Sequence, residues 1–371
     1  MNQHKPLRAM VVDDTVLYRK IVSDVLTAIP GVEVVGTAHN GKAAITKLAS
    51  VKPDLLTLDI EMPEMNGIEV LDYIQHHAPQ IGAIMLSTLT QAGGAMTMKA
   101  LELGAFDFIP KPQSGSMADN CKKIEAAIAP MIRAFQRSSR ITQLLRTIPR
   151  TGQVGMPKTG PKIPAAPSHR TALALNRASA EIVVIGISTG GPNALAAMLP
   201  MIPADIGVPI LIVQHMPPMF TRSLATSLNS KCAIEVREAR HGEPVMPNTA
   251  LIAPGGKQMK IAAGADGKHR MVRITDDPPE NSCKPSVDYL FRSVAHHYVG
   301  RATGVIMTGM GSDGTQGLKL LKQNGARIIA QDETTCVVFG MPKAAAETGL
   351  ADAVLPLNQI ADMIVKTVRV G

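Results

Sequence analysis

The chain has 371 residues, enough for two or three domains with real cores, and 45% hydrophobic against 18% charged residues is the balance of a soluble globular protein. A net charge of +8 invites nucleic-acid binding, but nine of the 38 Lys and Arg fall in residues 126–180, which hold no acid, and the other 29 face 30 acidic residues. With no Trp and 3% aromatics there is little material for base-stacking platforms, so no nucleic-acid partner is expected.

The opening stretch MNQHKPLRAMVVDD lacks a signal-peptide pattern and no apolar run reaches membrane-spanning length. No membrane insertion and a cytoplasmic location are therefore expected. Cys121, Cys232, Cys283 and Cys336 are scattered, with no CxxC pair and no zinc spacing, and read as reduced thiols.

Residues 8–112 alternate apolar runs (RAMVVDD, VEVVGTA, DLLTLDI, IGAIMLST, FDFIPKP) with helical patterns over 15–29, 41–51, 66–77 and 91–103. This alternation predicts a parallel sheet covered by helices, with its ligand site at the carboxyl ends of the strands. Asp13 and Asp14 close the first strand, Asp59 the third, Ser87 the fourth and Lys111 the fifth. A capping role would be the simpler account of any one of these aspartates. Three carboxylates in one crevice instead call for a divalent cation or a lysine to neutralise them.

In order, VVDD, DIEMPEMNG, MLST and IPKP resemble the receiver domain of bacterial response regulators over roughly residues 6–125. The resemblance implies a flavodoxin-like five-stranded domain in which Asp59 accepts a phosphoryl group from a histidine kinase. Asp13 and Asp14, with Asp59 and the Glu61 carbonyl, would hold Mg²⁺. Ser87 and Lys111 would contact the phosphoryl group, and Phe108 would take the aromatic switch position.

Residues 117–145 predict a helix leaving this domain, broken at Pro130, and 149–180 have the Pro/Gly/Ser/Ala composition of a flexible linker. After it the chain is again α/β, with strands at EIVVIGI, VPILIVQ, AIEVREA, TALIAP, MKIAA, MVRIT, TGVIMT, RIIAQ and AVLPL. Helical patterns cover 192–202, 219–230, 286–299, 313–324 and 358–369, and 233–275 reads as antiparallel hairpins inserted in a mostly parallel sheet. GADGKH at 264–269 reads as a turn.

The stretch VVIGISTGGP runs from a strand into a glycine-rich turn with Ser188 at its crest. Such a turn can cradle a phosphate or expose a nucleophile. Residues 186–191, G-I-S-T-G-G, fit neither dinucleotide nor P-loop spacing, and on the loop alone the two readings are even. His215 follows the strand VPILIV and Asp313 follows TGVI, so Ser, His and Asp converge from three strand ends. Their order disfavours an ordinary α/β-hydrolase, which runs Ser, acid, His.

Together with QHMP, TGMGSDG, LIAPGG, PSVDYLF and VVFGMPKAA, this stretch closely resembles the chemotaxis response regulator protein-glutamate methylesterases. That family implies Ser188 as nucleophile, His215 as base, Asp313 as its orienting acid, and the backbone of Thr189 and Met310 as oxyanion donors. Ile187 stands where alanine is common and Gln258 where histidine is common; the second is expected to bear on substrate contacts.

The fold expected is α/β throughout: a receiver over 5–125, a helical extension and basic linker over 126–180, and a doubly wound methylesterase domain over 181–371. The function implied is a phosphorylation-activated hydrolase of glutamyl methyl esters on methyl-accepting chemotaxis receptors, which also deamidates receptor glutamines. It would need Mg²⁺ in the receiver, no cofactor for the esterase, and a chemotaxis histidine kinase as phosphodonor, with recruitment to receptor arrays. The linker is too flexible to transmit force, so the unphosphorylated receiver is expected to cover the edge carrying Ser188 and His215. The rival is a response regulator whose second domain only binds a protein or a phosphate-bearing ligand.

Overall fold

Short, largely apolar strands, most of them followed by an amphipathic helix, cannot bury both faces except in a layered parallel sheet. The computed structural model, which describes residues 5–112, 115–147, 178–265, 267 and 269–369, contains two such sheets.

The first is built by β1 (Leu7–Val12), β2 (Val32–Ala38), β3 (Leu55–Asp59), β4 (Gly82–Ser87) and β5 (Asp107–Pro110) in the order β2-β1-β3-β4-β5. Every pairing is parallel. The crossovers are α1 (Val16–Ala28), α2 (Gly41–Val51), α3 (Gly67–His77) and α4 (Gln91–Glu102), followed by α5 (Met117–Thr147). Local chemistry starts three of them: Asn40 caps α2, Asn66 and Glu69 form a capping box on α3, and Thr90 caps α4. Contrary to the expected break, α5 runs on through Pro130. Most of the basic segment, including the linker over 149–177, lies outside the described residues.

The second sheet has seven strands in the order β14-β13-β12-β6-β7-β9-β8. They are β6 (Ile182–Ile187), β7 (Ile210–Gln214), β8 (Glu235–Glu238), β9 (Thr249–Ile252), β12 (Ala302–Ile306), β13 (Arg327–Gln331) and β14 (Ala353–Leu355). Between β9 and β12 lie β10 (Gln258–Ala263) and β11 (Arg270–Thr275), a separate antiparallel pair. The helices are α6 (Gly191–Met198), α7 (Phe220–Asn229), α8 (Val287–His297), α9 (Thr315–Gln323), α10 (Met341–Glu347) and α11 (Leu357–Val368).

The antiparallel region is narrower than the sequence implied. β8 and β9 pair in parallel and extend the main sheet, because ten residues between them form a crossover rather than a hairpin turn. The expected turn at 264–269 connects β10 to β11, and its residues 266 and 268 fall outside the described residues. One apolar core is continuous across both sheets: Met98 and Leu101 of α4 and Phe108 join Phe220, Leu224 and Leu228 of α7.

Candidate active site

β6 is buried along its whole length, and the chain turns out of it at Ser188, which is half-buried. The turn is fixed from three sides. Ser188 N–H donates to Thr308 O at 2.9 Å, Gln214 Nε2 donates to Ser188 O at 2.9 Å, and Gly191 N–H closes back on that same carbonyl at 2.8 Å. Gly190 takes φ +74°, a left-handed conformation that side chains resist, and a Cβ on Gly191 would lie 1.9 Å from Gln214 Oε1. From the next strand, Gly309 comes so close that a Cβ would lie 2.7 Å from the Ser188 Cβ. The glycine-rich turn is thus a packed elbow.

His215 follows β7, the neighbour of β6, and its backbone N–H donates to Ile187 O at 3.1 Å. Its Nε2 lies 2.8 Å from Asp313 Oδ2. Asp313 follows β12, the neighbour on the other side of β6, and is 3% exposed. Residues 313–315 do not use this carboxylate as a helix cap; α9 is capped by Gly314 without a side-chain bond. Instead it faces the N-terminus of α8, accepting from Val287 N–H at 2.7 Å, Asp288 N–H at 3.2 Å and Ser286 Oγ at 2.9 Å. Asn281 Nδ2 adds a further donor at 3.1 Å.

Burial works to raise the Asp313 carboxyl, but the His215 hydrogen bond and charge, helped by Val287 N–H and Asn281, hold it well below the usual range. Burial likewise works against a charged His215, yet Asp313 and the Cys283 thiol carry its pKa up to about 9. Because Nε2 is committed to Asp313, Nδ1 is the nitrogen left for proton transfer. Nδ1 faces Cys283 Sγ at 3.7 Å, and among the described residues no hydrogen bond joins Ser188 Oγ to His215. Nor do the N–H groups of Thr189 and Met310 donate an internal hydrogen bond among those residues. They remain free for an oxygen arriving beside Ser188.

At the carboxyl edge of the first sheet, Lys111 Nζ bridges Asp13 Oδ2 at 2.8 Å and Asp59 Oδ2 at 2.7 Å. Asp59 is buried and its Oδ1 meets no donor. Burial dominates its pKa, raising it to about 6 although Lys111 opposes the shift. Oxygens of Asp13, Asp14 and Asp59 lie within 4.8 Å of one another, so the pocket offers a hard cation an all-oxygen set. Glu61 is exposed, its side chain accepting from Thr88 Oγ1 at 3.4 Å. Ser87 is buried and turned toward α4, accepting from Thr97 Oγ1 at 2.8 Å.

The two sheets meet next to the elbow. Phe108 stacks on Phe220 with ring centroids 4.7 Å apart. Asp107 Oδ2 accepts from Gly190 N–H at 2.9 Å, and Asn193 Nδ2 donates to Ala105 O at 3.1 Å. Glu102 accepts from Ser227 Oγ and Lys231 Nζ, each at 2.6 Å.

Several of these residues escaped the sequence reading. Gln214 opens the quoted QHMP and Ser286 is the second residue of the quoted PSVDYLF, so a signal existed for both. Asn281 had none, and Cys283 and Asp107 stood in the sequence without any sign of their partners. Gln258 is fully buried, and its amide joins Pro278 O, Cys283 O and Ser286 N–H, bracing the loop that carries Cys283. Ile187 lies in the core behind the elbow.

A family model described as CheB methylesterase matches residues 183–364, and one described as response regulator receiver domain matches residues 9–120. A protein from Desulfotalea psychrophila named protein-glutamate methylesterase/protein-glutamine glutaminase is 58% identical, covering 98% of this chain and 99% of its own. One of the same name from Archaeoglobus fulgidus is 41% identical, covering 98% and 99%. Among solved structures, the Thermotoga maritima CheB methylesterase catalytic domain is 42% identical, covers 51% of this chain and 99% of its own, and has a TM-score of 0.49. The relatives span both sheets at this identity, and the chain belongs to the CheB methylesterase family, with a response regulator receiver domain ahead of the methylesterase part.

Proposed function

We propose that this protein is a phosphorylation-activated protein-glutamate methylesterase and protein-glutamine glutaminase, with methyl-accepting chemotaxis receptors as substrates and a chemotaxis histidine kinase as phosphodonor. In this reading the receiver occupies 5–125, a helical extension and linker 126–180, and the esterase 181–371. No helix among the described residues is long and apolar enough to cross a membrane, and substrate is met at receptor arrays.

The observation that carries the reading is the His215–Asp313 pair. A carboxylate buried under five neighbouring donors and fastened to one imidazole nitrogen is what an acyl-transfer base needs to stay oriented. Ser188 Oγ attacks the γ-carbonyl of the glutamyl ester while its proton passes to His215 Nδ1. The oxyanion takes the free N–H groups of Thr189 and Met310. Collapse releases methanol, or ammonia from an amide, with the proton returned from His215. Water then repeats the sequence on the acyl-serine and leaves a glutamate.

In the receiver, Asp59 is the phosphoryl acceptor. Asp13, Asp14 and Asp59, with the Glu61 carbonyl, are the residues to hold Mg²⁺, which screens the charge of an incoming phosphate. The donor-less Asp59 Oδ1 supports a cation there. Lys111 and Ser87 then contact the phosphoryl oxygens, and Ser87 must leave Thr97 to do so. Phe108, already against Phe220, is the switch that carries the change to the esterase.

The test is a fluorophosphonate probe combined with a methanol-release assay on methylated receptor. Ser188 should be the labelled residue, and Ser188→Ala should fold normally yet release almost no methanol. Near-normal turnover in that variant would end the serine mechanism, whereas a wild type that is neither labelled nor releases methanol would leave the second domain as a binding module.

A further inference from the structure

We propose that His215 Nδ1 and Cys283 Sγ together form a Zn²⁺ site that switches the esterase off, a proposal that rests on His215 being the catalytic base. Nδ1 and Sγ are 3.7 Å apart. Tetrahedral zinc, with bonds of about 2.3 Å to sulfur and 2.0–2.1 Å to nitrogen, separates the two ligands by roughly 3.6 Å. The pair thus stands at zinc-ligand spacing with little adjustment.

The surroundings match as well. A zinc-bound histidine generally gives its other ring N–H to a carboxylate, which fixes the ring and makes the bound nitrogen more basic. Asp313 already does this at Nε2, 2.8 Å away. Although its oxygens lie near the two candidate ligands, Asp313 is engaged by α8 and Asn281 and serves as the outer partner rather than a ligand. The thiol is pinned too: Glu280 and Cys283 exchange both backbone hydrogen bonds, at 3.1 and 2.7 Å, while Gln258 holds the Cys283 carbonyl. Cys283 is half-buried, so an ion can enter from solvent.

Sulfur and imidazole select Zn²⁺ over Mg²⁺, so the cation that serves the receiver does not fill this site. Binding releases the thiol proton, and the Nδ1 proton of a charged His215, to solvent and occupies the nitrogen that must take the Ser188 proton. Two protein ligands leave two positions to water, which makes the block reversible by a chelator.

The test uses the full-length protein stripped by chelator. Co²⁺, a spectroscopic substitute for Zn²⁺, should give a thiolate-to-metal charge-transfer band that added Zn²⁺ abolishes. Cys283→Ser and Cys283→Ala should both lack the band while keeping wild-type circular dichroism. Zn²⁺ should suppress fluorophosphonate labelling of Ser188 in the wild type. In either Cys283 variant, suppression should need more Zn²⁺ by at least the roughly 10- to 100-fold that an outer-shell partner is worth. Absence of the band in the wild type, its persistence in both variants, or labelling indifferent to Zn²⁺ would each overturn the proposal and leave an S–H···N hydrogen bond only. If stripped protein is never labelled at Ser188, the serine reading fails instead, and the cobalt band still decides whether the metal site exists.

Discussion

Asp107, a receiver residue, accepts a hydrogen bond from the backbone N–H of Gly190, two residues beyond Ser188. The carboxyl is buried, and burial raises its pKa from 3.8 to about 6 although the Gly190 and Phe108 N–H groups oppose the shift. A carboxyl whose pKa is raised in the closed arrangement supports that arrangement fully below its ordinary pKa and loses the support as pH rises through about 6. Closure should therefore tighten as pH falls from 7 to 5, read as slower hydrogen exchange at Gly190. Asp107→Asn, which keeps an acceptor without the charge, should stay closed and flatten that profile. Asp107→Ala strands the Gly190 N–H and should raise unphosphorylated activity within the roughly 5- to 150-fold span of domain coupling. Unchanged methanol release in Asp107→Ala would make the contact a bystander.

Asp313→Asn should damage turnover far more than substrate affinity. An amide cannot hold the imidazolium and serve the same donors, and the comparable change in a serine protease costs about 10⁴-fold in kcat. A loss confined to KM would assign Asp313 to binding.

Gly309→Ala tests the elbow from the neighbouring strand. Its Cβ would lie 2.4 Å from Met341 Sδ and 2.7 Å from the Ser188 Cβ, so the nucleophile must shift. Displacement by about 1 Å costs on the order of 10²-fold in rate. The expected result is a folded protein with kcat reduced by that order, measured beside its thermal midpoint.

Glu102 and Lys231 pair across the domain contact at 2.6 Å, and Lys231 with Ser227 holds the Glu102 carboxyl below its ordinary pKa. Partly exposed pairs are worth at most about 1 kcal/mol, so Glu102→Gln should raise basal activity by no more than roughly fivefold and Glu102→Lys, which sets two cations together, by more than Glu102→Gln. Adding Lys231→Glu restores the attraction with reversed sign and should return activity to its starting level, with high salt shrinking both effects.

The layered fold was legible because burial follows helical and strand periods: the helices expected at 41–51 and 66–77 are observed at Gly41–Val51 and Gly67–His77. Pairing partners were less legible. Nothing within EVRE or TALI says that these short strands lie parallel, and α10 hid because seven residues starting at Met341 carry too few turns to display a period. At the site, strand ends pointed to Ser188, His215 and Asp313. The roles of Cys283 and Asp107 depend on partners 68 and 83 residues away, a kind of information that local pattern does not hold.

The amides of Ser188 and His215 continue the backbone ladder past the ends of β6 and β7, bonding to Thr308 O and Ile187 O. The backbone of Ser188 and His215 is consequently laid down by the same cooperative bonds that hold the central strands. An event that parts β6 from its neighbours therefore dismantles it. On heating, hydrolytic capacity and sheet structure are therefore expected to be lost together.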